Sequence, residues 1–210
     1  MEINFLRIYR KLFPNQYNYI LTELKGCESV LDLGCGYRSV VEYSNVPYSV
    51  GVDLFEPYIE ISRKKKIHTK YIKEDITKIQ FEPKSFDVIL VTEVLEHLPK
   101  EKSLELIKKM EGWARKKIII TTPNGYCPMH EIDGNIYQEH QSEWKAKDYK
   151  ELGFEVYGAM GLRLFRRGAE KYATIRPLEK LLAFLSDLTT KFIYNKPTIA
   201  FQLLAIKRFE

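Results

Sequence analysis

Cysteine is scarce in this 210-residue chain: Cys27, Cys35 and Cys127 form an odd set with no C-x-x-C spacing. That excludes a disulfide framework and a cysteine-built zinc site, and leaves reduced thiols. Long apolar runs are missing as well. The longest uncharged apolar stretch, around Ile118 to Ile120, falls far short of the ~18 residues that a membrane span needs. Met1 to Phe13 mixes Arg7, Arg10 and Lys11 with apolar side chains and has no small-residue cleavage site, so it does not read as a signal peptide. A cytoplasmic location is the expectation. Glycine, proline and serine never gather into a linker, and no repeat or low-complexity tract appears. A strong charge bias is also absent. The 33 basic and 28 acidic residues leave a net charge of +5, which permits an anionic partner without demanding one. The densest basic cluster, Arg63 to Lys66, follows an apolar periodic stretch and reads as a solvated helix end rather than a nucleic-acid footprint.

What is present is an ordinary globular balance, 45% hydrophobic and 29% charged, in a chain long enough for one substantial core. Apolar spacing predicts a short helix over residues 3–13, ended by Pro14, and a second over Tyr17 to Lys25. After Gly26 the period shortens. Strands are predicted at Ser29 to Leu33, Tyr48 to Asp53, Lys70 to Lys73, Phe86 to Val91 and Lys117 to Thr121. Helices are expected between them: Ser39 to Ser44, Pro57 toward Lys66, and Glu93 to Trp113 with Pro99 as internal punctuation. Two more strands, Phe154 to Met160 and Ile199 to Lys207, flank a helix over Pro177 to Phe192, while Pro123 to Ser142 is long and irregular. Strands alternating with helices imply parallel pairing with helices on both faces, a doubly wound α/β sheet. Ligands of such sheets bind outside the carboxyl ends of the strands, where the strand order reverses.

The sharpest local signal is Val30-Leu31-Asp32-Leu33-Gly34-Cys35-Gly36, a strand closed by glycines that let a ligand approach the backbone. Asp53 ends the next strand, where a carboxylate accepts both hydroxyl protons of a ribose. Glu74-Asp75-Ile76 ends the third strand and adds an acid along the same sheet edge. Singly these acids are as well explained as caps or turn residues. Together, at successive strand ends, they form a constellation. A nicotinamide dehydrogenase also uses a glycine turn and an acid, but its fingerprint needs a third glycine where this chain has Ser39. Asp32 would also repel a pyrophosphate, whereas an acid favours a ligand carrying an ammonium and a sulfonium.

On these motifs, with Gly51-Val52-Asp53-Leu54, the run from Phe86 through Glu93-Val94-Leu95-Glu96-His97-Leu98, Thr121-Thr122-Pro123-Asn124 and Leu152-Gly153-Phe154, the chain resembles a class I S-adenosylmethionine-dependent methyltransferase of the small-molecule, methyltransferase-11-like type. The resemblance implies a seven-stranded sheet in the order 3-2-1-4-5-7-6 with the last strand antiparallel. It implies a single domain in which residues 1–26 form a helical lid, 27–125 the cofactor-binding core and 126–210 the substrate-side loop, helices and last strands. It implies S-adenosylmethionine as cofactor and S-adenosylhomocysteine as product. By the same resemblance Asp32, Gly34, Cys35 and Gly36 face the methionine portion, Asp53 the ribose, Leu54 the adenine face, and Asp75 with Ile76 the adenine edge. Thr92 and Glu93 border the methionine and the substrate. Arg38 stands where the family often has glycine, and an outward-pointing side chain is expected.

A general base is useful if the acceptor is a hydroxyl or ammonium, and the candidates are Glu93, His97, His130, Asp133 and His140. Each has a structural alternative. His97 sits one turn beyond Glu93, where packing against the sheet is the commoner use. His140 and Trp144 lie near a helix start that Ser142 is placed to cap. No H-x-x-x-H or cysteine-histidine pairing points to a metal, so none is expected. Tyr126, Tyr137 and Trp144 are pocket or core aromatics. The crowded Leu181, Leu182, Phe184 and Leu185 read first as ordinary burial, with a lid, a membrane contact or a second subunit as alternatives. The expected partner is a small-molecule or lipid- or sugar-linked methyl acceptor, with a homodimer left open. An RNA methyltransferase has only the basic cluster in its favour and lacks an Asn-Pro-Pro-Tyr motif. A cofactor-binding protein without activity is the third reading.

Overall fold

The computed structural model describes residues 16–129, 134–166 and 176–210. The reading of a helix over residues 3–13 lies outside them, as do His130 and Asp133. Seven strands form one sheet: β1 (Ser29–Leu33), β2 (Tyr48–Asp53), β3 (Lys70–Lys73), β4 (Phe86–Thr92), β5 (Ala114–Pro123), β6 (Glu155–Leu162) and β7 (Ala200–Arg208). Their order is β3-β2-β1-β4-β5-β7-β6. The first five pair in parallel, and β7 runs antiparallel to both β5 and β6. The helices are α1 (Gln16–Glu23), α2 (Glu56–Lys65), α3 (Lys100–Trp113), α4 (Ala146–Glu151), α5 (Arg176–Leu188) and α6 (Thr190–Ile193).

Strands β1 and β4 are buried almost along their whole length because both faces are covered, and apart from Ser29, Asp32, Asp87 and Thr92 they are apolar. Leu31, Leu33, Ile89, Val91, Ile118 and Ile120 point to one face, where Leu106, Ile107, Met110 and Trp113 of α3 meet them. Val30, Val88, Leu90 and Ile119 point to the other, under Ile20 and Leu24. Each fully buried aliphatic side chain contributes roughly 1.5–3 kcal/mol, so the two layers lock the sheet rigidly. The sheet order reverses between β1 and β4, and the crevice opens at their carboxyl ends. The basic cluster is a helix end: Arg63, Lys64 and Lys65 fill the last turn of α2 and Lys66 caps it in the left-handed conformation.

Several local expectations change. The segment over Ser39 to Ser44 is a 3-10 turn, Val40–Tyr43, capped by Ser39. Glu93 to Trp113 is not one helix: a 3-10 turn, Leu95–His97, precedes α3, and Pro99 stands at the N-cap because its ring admits nothing helical before it. Ser142 caps no helix; α4 begins at Ala146, and the Ser142 hydroxyl donates to the Leu95 carbonyl at 3.1 Å. The helix over Pro177 to Phe192 divides into α5 and α6. Its crowded apolar residues are not all buried, since Leu181, Phe184 and Leu188 are about half exposed while the fully buried Ser186 faces β6 and donates to the Met160 carbonyl at 3.0 Å. No helix among the described residues is long and apolar enough to cross a membrane.

Candidate active site

A cavity of about 770 Å³ lies over the carboxyl ends of β1 to β4. Its floor begins at the glycine loop. The amides of Gly34 and Cys35 donate to the Val52 carbonyl at 2.8 and 3.0 Å, which docks the loop on β2. Gly34 has a φ of +70°, and a Cβ there would stand 2.4 Å from the Val94 Cγ2, so both backbone and space demand glycine. Gly36 is also left-handed, but nothing lies within 4 Å of where its Cβ would be. The backbone is therefore bare toward the cavity.

Asp53, at the end of β2, accepts from the Gly36 amide at 2.8 Å and from the Phe55 amide at 2.9 Å, one donor on each oxygen. Burial pushes its carboxyl above the ordinary range against those hydrogen bonds. A carboxylate has about four lone-pair sites, so even with the Leu54 amide as a third backbone donor, capacity remains for a ligand hydroxyl. Leu54 lines the cavity beside it, with Tyr58 from α2. Asp75 follows β3; burial alone would raise its pKa, but the Thr77 hydroxyl and amide with Lys78 outweigh it and hold it below the usual value. Ile76 completes that wall.

Beyond β4, Thr92 and Glu93 border the cavity. Glu93 is a non-glycine residue with a φ of +53°, a strained backbone of the kind retained at functional sites. Its amide donates to the Thr121 carbonyl at 2.9 Å, and its Oε2 accepts from the Gln202 Nε2 at 2.8 Å. Burial raises its pKa to about 7 despite those polar neighbours. Glu96, three residues on, is 3% exposed and pushed well up by burial and by Glu93. The His97 ring enters the cavity wall, where burial and then the neighbouring His140 hold its pKa down to about 4. His140 lies outside the cavity lining but touches His97 edge-on, ring centroids 4.7 Å apart. Burial lowers its pKa too. The loop that delivers it is tied down: the Gln141 and Ser142 amides donate to the Glu96 carbonyl at 2.8 and 3.0 Å.

The structure thus gathers Gly34, Cys35, Gly36, Asp53, Leu54, Asp75, Ile76, Thr92, Glu93 and His97 around one space. It leaves Asp32 out of that lining: the side chain is 1% exposed, accepts from the Ser39 hydroxyl at 2.5 Å and lies 3.4 Å from the His68 Nε2. There it ties β1 to the 3-10 turn and to the segment just before β3 rather than facing the cavity. Burial pushes the Cys35 thiol far up, so it is no nucleophile. Arg38 is at the rim, its guanidinium 5.2 Å from the Tyr37 ring centroid. Tyr137 joins the lining, Tyr126 is exposed, and Trp144 is buried against Tyr149. Sequence reasoning missed Gln202, whose β7 position carries no motif, and Glu96 as a partner of His97 and His140. The signal for Glu96 was its place beside His97 in a run read for its neighbours.

A bare glycine backbone, a carboxylate with free lone pairs at the second strand end and a wall of Leu54, Asp75 and Ile76 fit the nucleoside and amino acid of S-adenosylmethionine. Residues 31–117 match the sequence family described as a methyltransferase domain. With the sheet order and the cavity at its switch point, that match gives the chain a fold similar to that of class I S-adenosylmethionine-dependent methyltransferases. Among curated relatives, a ubiquinone biosynthesis O-methyltransferase of Vibrio atlanticus is 31% identical over 100 residues, 43% of this chain and 42% of that protein. The chain spans about half the length of the curated relatives it matches, 42% and 55%. A S-adenosylmethionine-dependent methyltransferase from Archaeoglobus fulgidus superposes with a TM-score of 0.57 at 19% identity, covering 97% of this chain and 99% of that one. A small RNA methyltransferase, HEN1, superposes at 0.61 and 16% identity over 93% of this chain and 25% of that one. These likenesses establish the fold.

Proposed function

We propose that the chain transfers a methyl group from S-adenosylmethionine to a hydroxyl of a small-molecule acceptor, including one linked to a lipid or sugar. The observation that carries this reading is Glu93, a buried carboxylate at the cavity edge whose pKa of about 7 suits a general base at neutral pH. The O-methyltransferase named above supports the hydroxyl as acceptor. Bound cofactor supplies the activated methyl on its sulfonium, so the protein's work is orientation, exclusion of water and proton handling. Asp53 and the Gly34 to Gly36 backbone would hold the nucleoside and amino-acid ends. Asp75, Ile76 and Leu54 would fix the adenine. Glu93 would take the hydroxyl proton, its Oε2 already steadied by Gln202. His97, neutral at physiological pH, would orient the acceptor from the adjoining turn.

The test is a panel of hydroxyl acceptors assayed by S-adenosylhomocysteine release, with calorimetry of cofactor binding and Asp53→Ala as control. Turnover with a small hydroxyl compound is expected, with cofactor affinity at least about ten-fold weaker in Asp53→Ala, as for the loss of charge-assisted hydrogen bonds. Full affinity in a folded Asp53→Ala variant would remove Asp53 from the site. Salt-sensitive retention and methylation of RNA with no turnover of small acceptors would overturn the acceptor class.

A further inference from the structure

A helix on the surface of a protein ordinarily turns its apolar stripe inward and its polar face to water. Helices α5 and α6 do the reverse. Thr189 keeps a helical backbone between them, so their residues follow one spiral from Arg176 to Ile193. Hydroxyls fill much of the side against β6: Ser186 is fully buried and donates to the Met160 carbonyl at 3.0 Å, the Thr189 hydroxyl accepts from the Leu162 amide at 2.9 Å, and Thr190 is buried as well. On the side away from the sheet Leu181, Phe184, Leu188 and Phe192 recur at steps of three and four residues, and each is about half exposed. The stripe runs for roughly 16 Å at the helical rise. Single exposed apolar residues are normal, but four in line on an outward face mark a contact surface.

Charge selects the occupant. Lys180 and Lys191 are exposed along one border of the stripe, and the Lys196 ammonium lies 3.8 Å from the Phe192 ring centroid. Among the described residues none of the three has an ion-pair partner, and Asp187, the one acid among the described side chains of the two helices, is held by Arg166 at 2.5 Å. A second copy meeting this face about a two-fold axis would bring more lysines and no acid of these helices to receive them. Residues 1–15 carry Arg7, Arg10 and Lys11 against Glu2 and bring the same sign. An anionic lipid surface meets both demands, with acyl chains for the stripe and phosphates for the lysines.

We propose that the outward face of α5 and α6 docks the protein on an anionic lipid surface, with Leu181, Phe184, Leu188 and Phe192 set into the headgroup layer and Lys180, Lys191 and Lys196 among the phosphates. The contact is peripheral, lying along the membrane rather than crossing it. Strand β6 runs parallel to β5 through their shared antiparallel partner β7, so its carboxyl end, where Ser186 and Thr189 bind, is the end of the sheet that carries the cavity. The surface stands without the methyl-transfer reading; only its use in presenting a lipid-linked acceptor rests on that reading.

The experiment is cosedimentation of the full chain with vesicles of phosphatidylcholine alone and of phosphatidylcholine mixed with phosphatidylglycerol. Binding to the mixed vesicles is expected, with little to the neutral ones and less at high salt. Lys180→Gln, Lys191→Gln and Lys196→Gln together should weaken it about a hundred-fold, since each lysine near such a surface contributes roughly five-fold. Phe184→Gln should weaken it at least about ten-fold. Both variants should keep the wild-type melting temperature and S-adenosylhomocysteine affinity, which certifies their fold. In Phe184→Trp the added indole emission should shift to the blue with the mixed vesicles alone. No binding of the wild-type chain, binding untouched by the substitutions, or an unshifted indole would overturn the proposal. So would a dimer in light scattering that Phe184→Gln dissolves, or RNA retained through the same lysines, with the vesicles ignored. Cofactor binding without vesicle binding would sink this inference and leave methyl transfer standing; the reverse would sink methyl transfer and leave the surface.

Discussion

Replacing Glu93 by glutamine should stabilise the protein above neutral pH while removing the proposed base. The side chain is buried, and burial moves its pKa from the ordinary 4.5 to about 7. The folded state then binds more protons than the unfolded state between those values, so stability is fully present below about pH 4.5 and is lost as pH rises through about 7. Above that range the ionised carboxylate costs on the order of 3 kcal/mol. Glutamine removes the charge and still accepts from Gln202, which sits 2.8 Å from Oε2. Urea unfolding of both proteins without cofactor, from pH 4.5 to 8, tests this. The two should be close in stability at the acid end, with the variant ahead by that amount at the alkaline end. A residual slope in the variant comes from Glu96, whose pKa is also raised by burial. Superimposable pH profiles, or a variant weaker at pH 8, would refute the reasoning. A gain in stability with a loss of turnover is the trade expected where a fold tolerates a strained, desolvated acid for its chemistry.

Three further perturbations address the frame around that acid. Gly34→Ala places a Cβ 2.4 Å from the Val94 Cγ2 at a φ of +70° and should cost about 2–4 kcal/mol in chemical denaturation; a change below about 0.5 kcal/mol would mean the turn can re-form. Asp87 accepts from the Glu28 amide, Arg115 and Lys116, and although burial alone would raise its pKa, these partners hold it down to about 2. Its contribution is present above the ordinary 3.8 and lost as pH falls through about 2. Asp87→Asn should therefore destabilise by about 1–2 kcal/mol at pH 7, after allowance for the half-exposed cations, and by progressively less in acid, as followed by thermal melts. Trp144→Ala removes a buried ring stacked on Tyr149 with the Lys100 ammonium 3.3 Å from its centroid, and should cost ~3–5 kcal/mol and speed amide exchange at Gln141 and Ser142. Unchanged exchange there would show that the His140 loop is held without it.

The parallel half of the fold was legible in the sequence because β1 and β4 are buried on both faces, which writes them as short, mostly apolar runs, and because each run is followed by an acid or a glycine. Asp53 and Asp75 could be placed on one edge from that alone, and Glu93 through the family resemblance. The 3-10 turn at Leu95–His97 was hidden by helical spacing on both sides of Pro99, since periodicity does not register where a helix begins. Asp32 was given to the ligand from its place before the glycines, whereas its burial with Ser39 and His68 is a tertiary outcome. The meeting of Glu96 and His97 with His140 depends on a loop fixed by backbone hydrogen bonds, which no side-chain pattern announces. For the same reason Gln202 gave no sign of its role.

The placement of β7 between β5 and β6 bears on the order in which the molecule is assembled. Among the described residues strand β6 pairs with β7 alone, so during synthesis it has no place in the sheet until the strand after it has been made. The five parallel strands face no such delay. Gln202, which steadies the Glu93 carboxylate, arrives on that late strand. A nascent chain would thus acquire its nucleoside-binding floor first and the surroundings of its acid last.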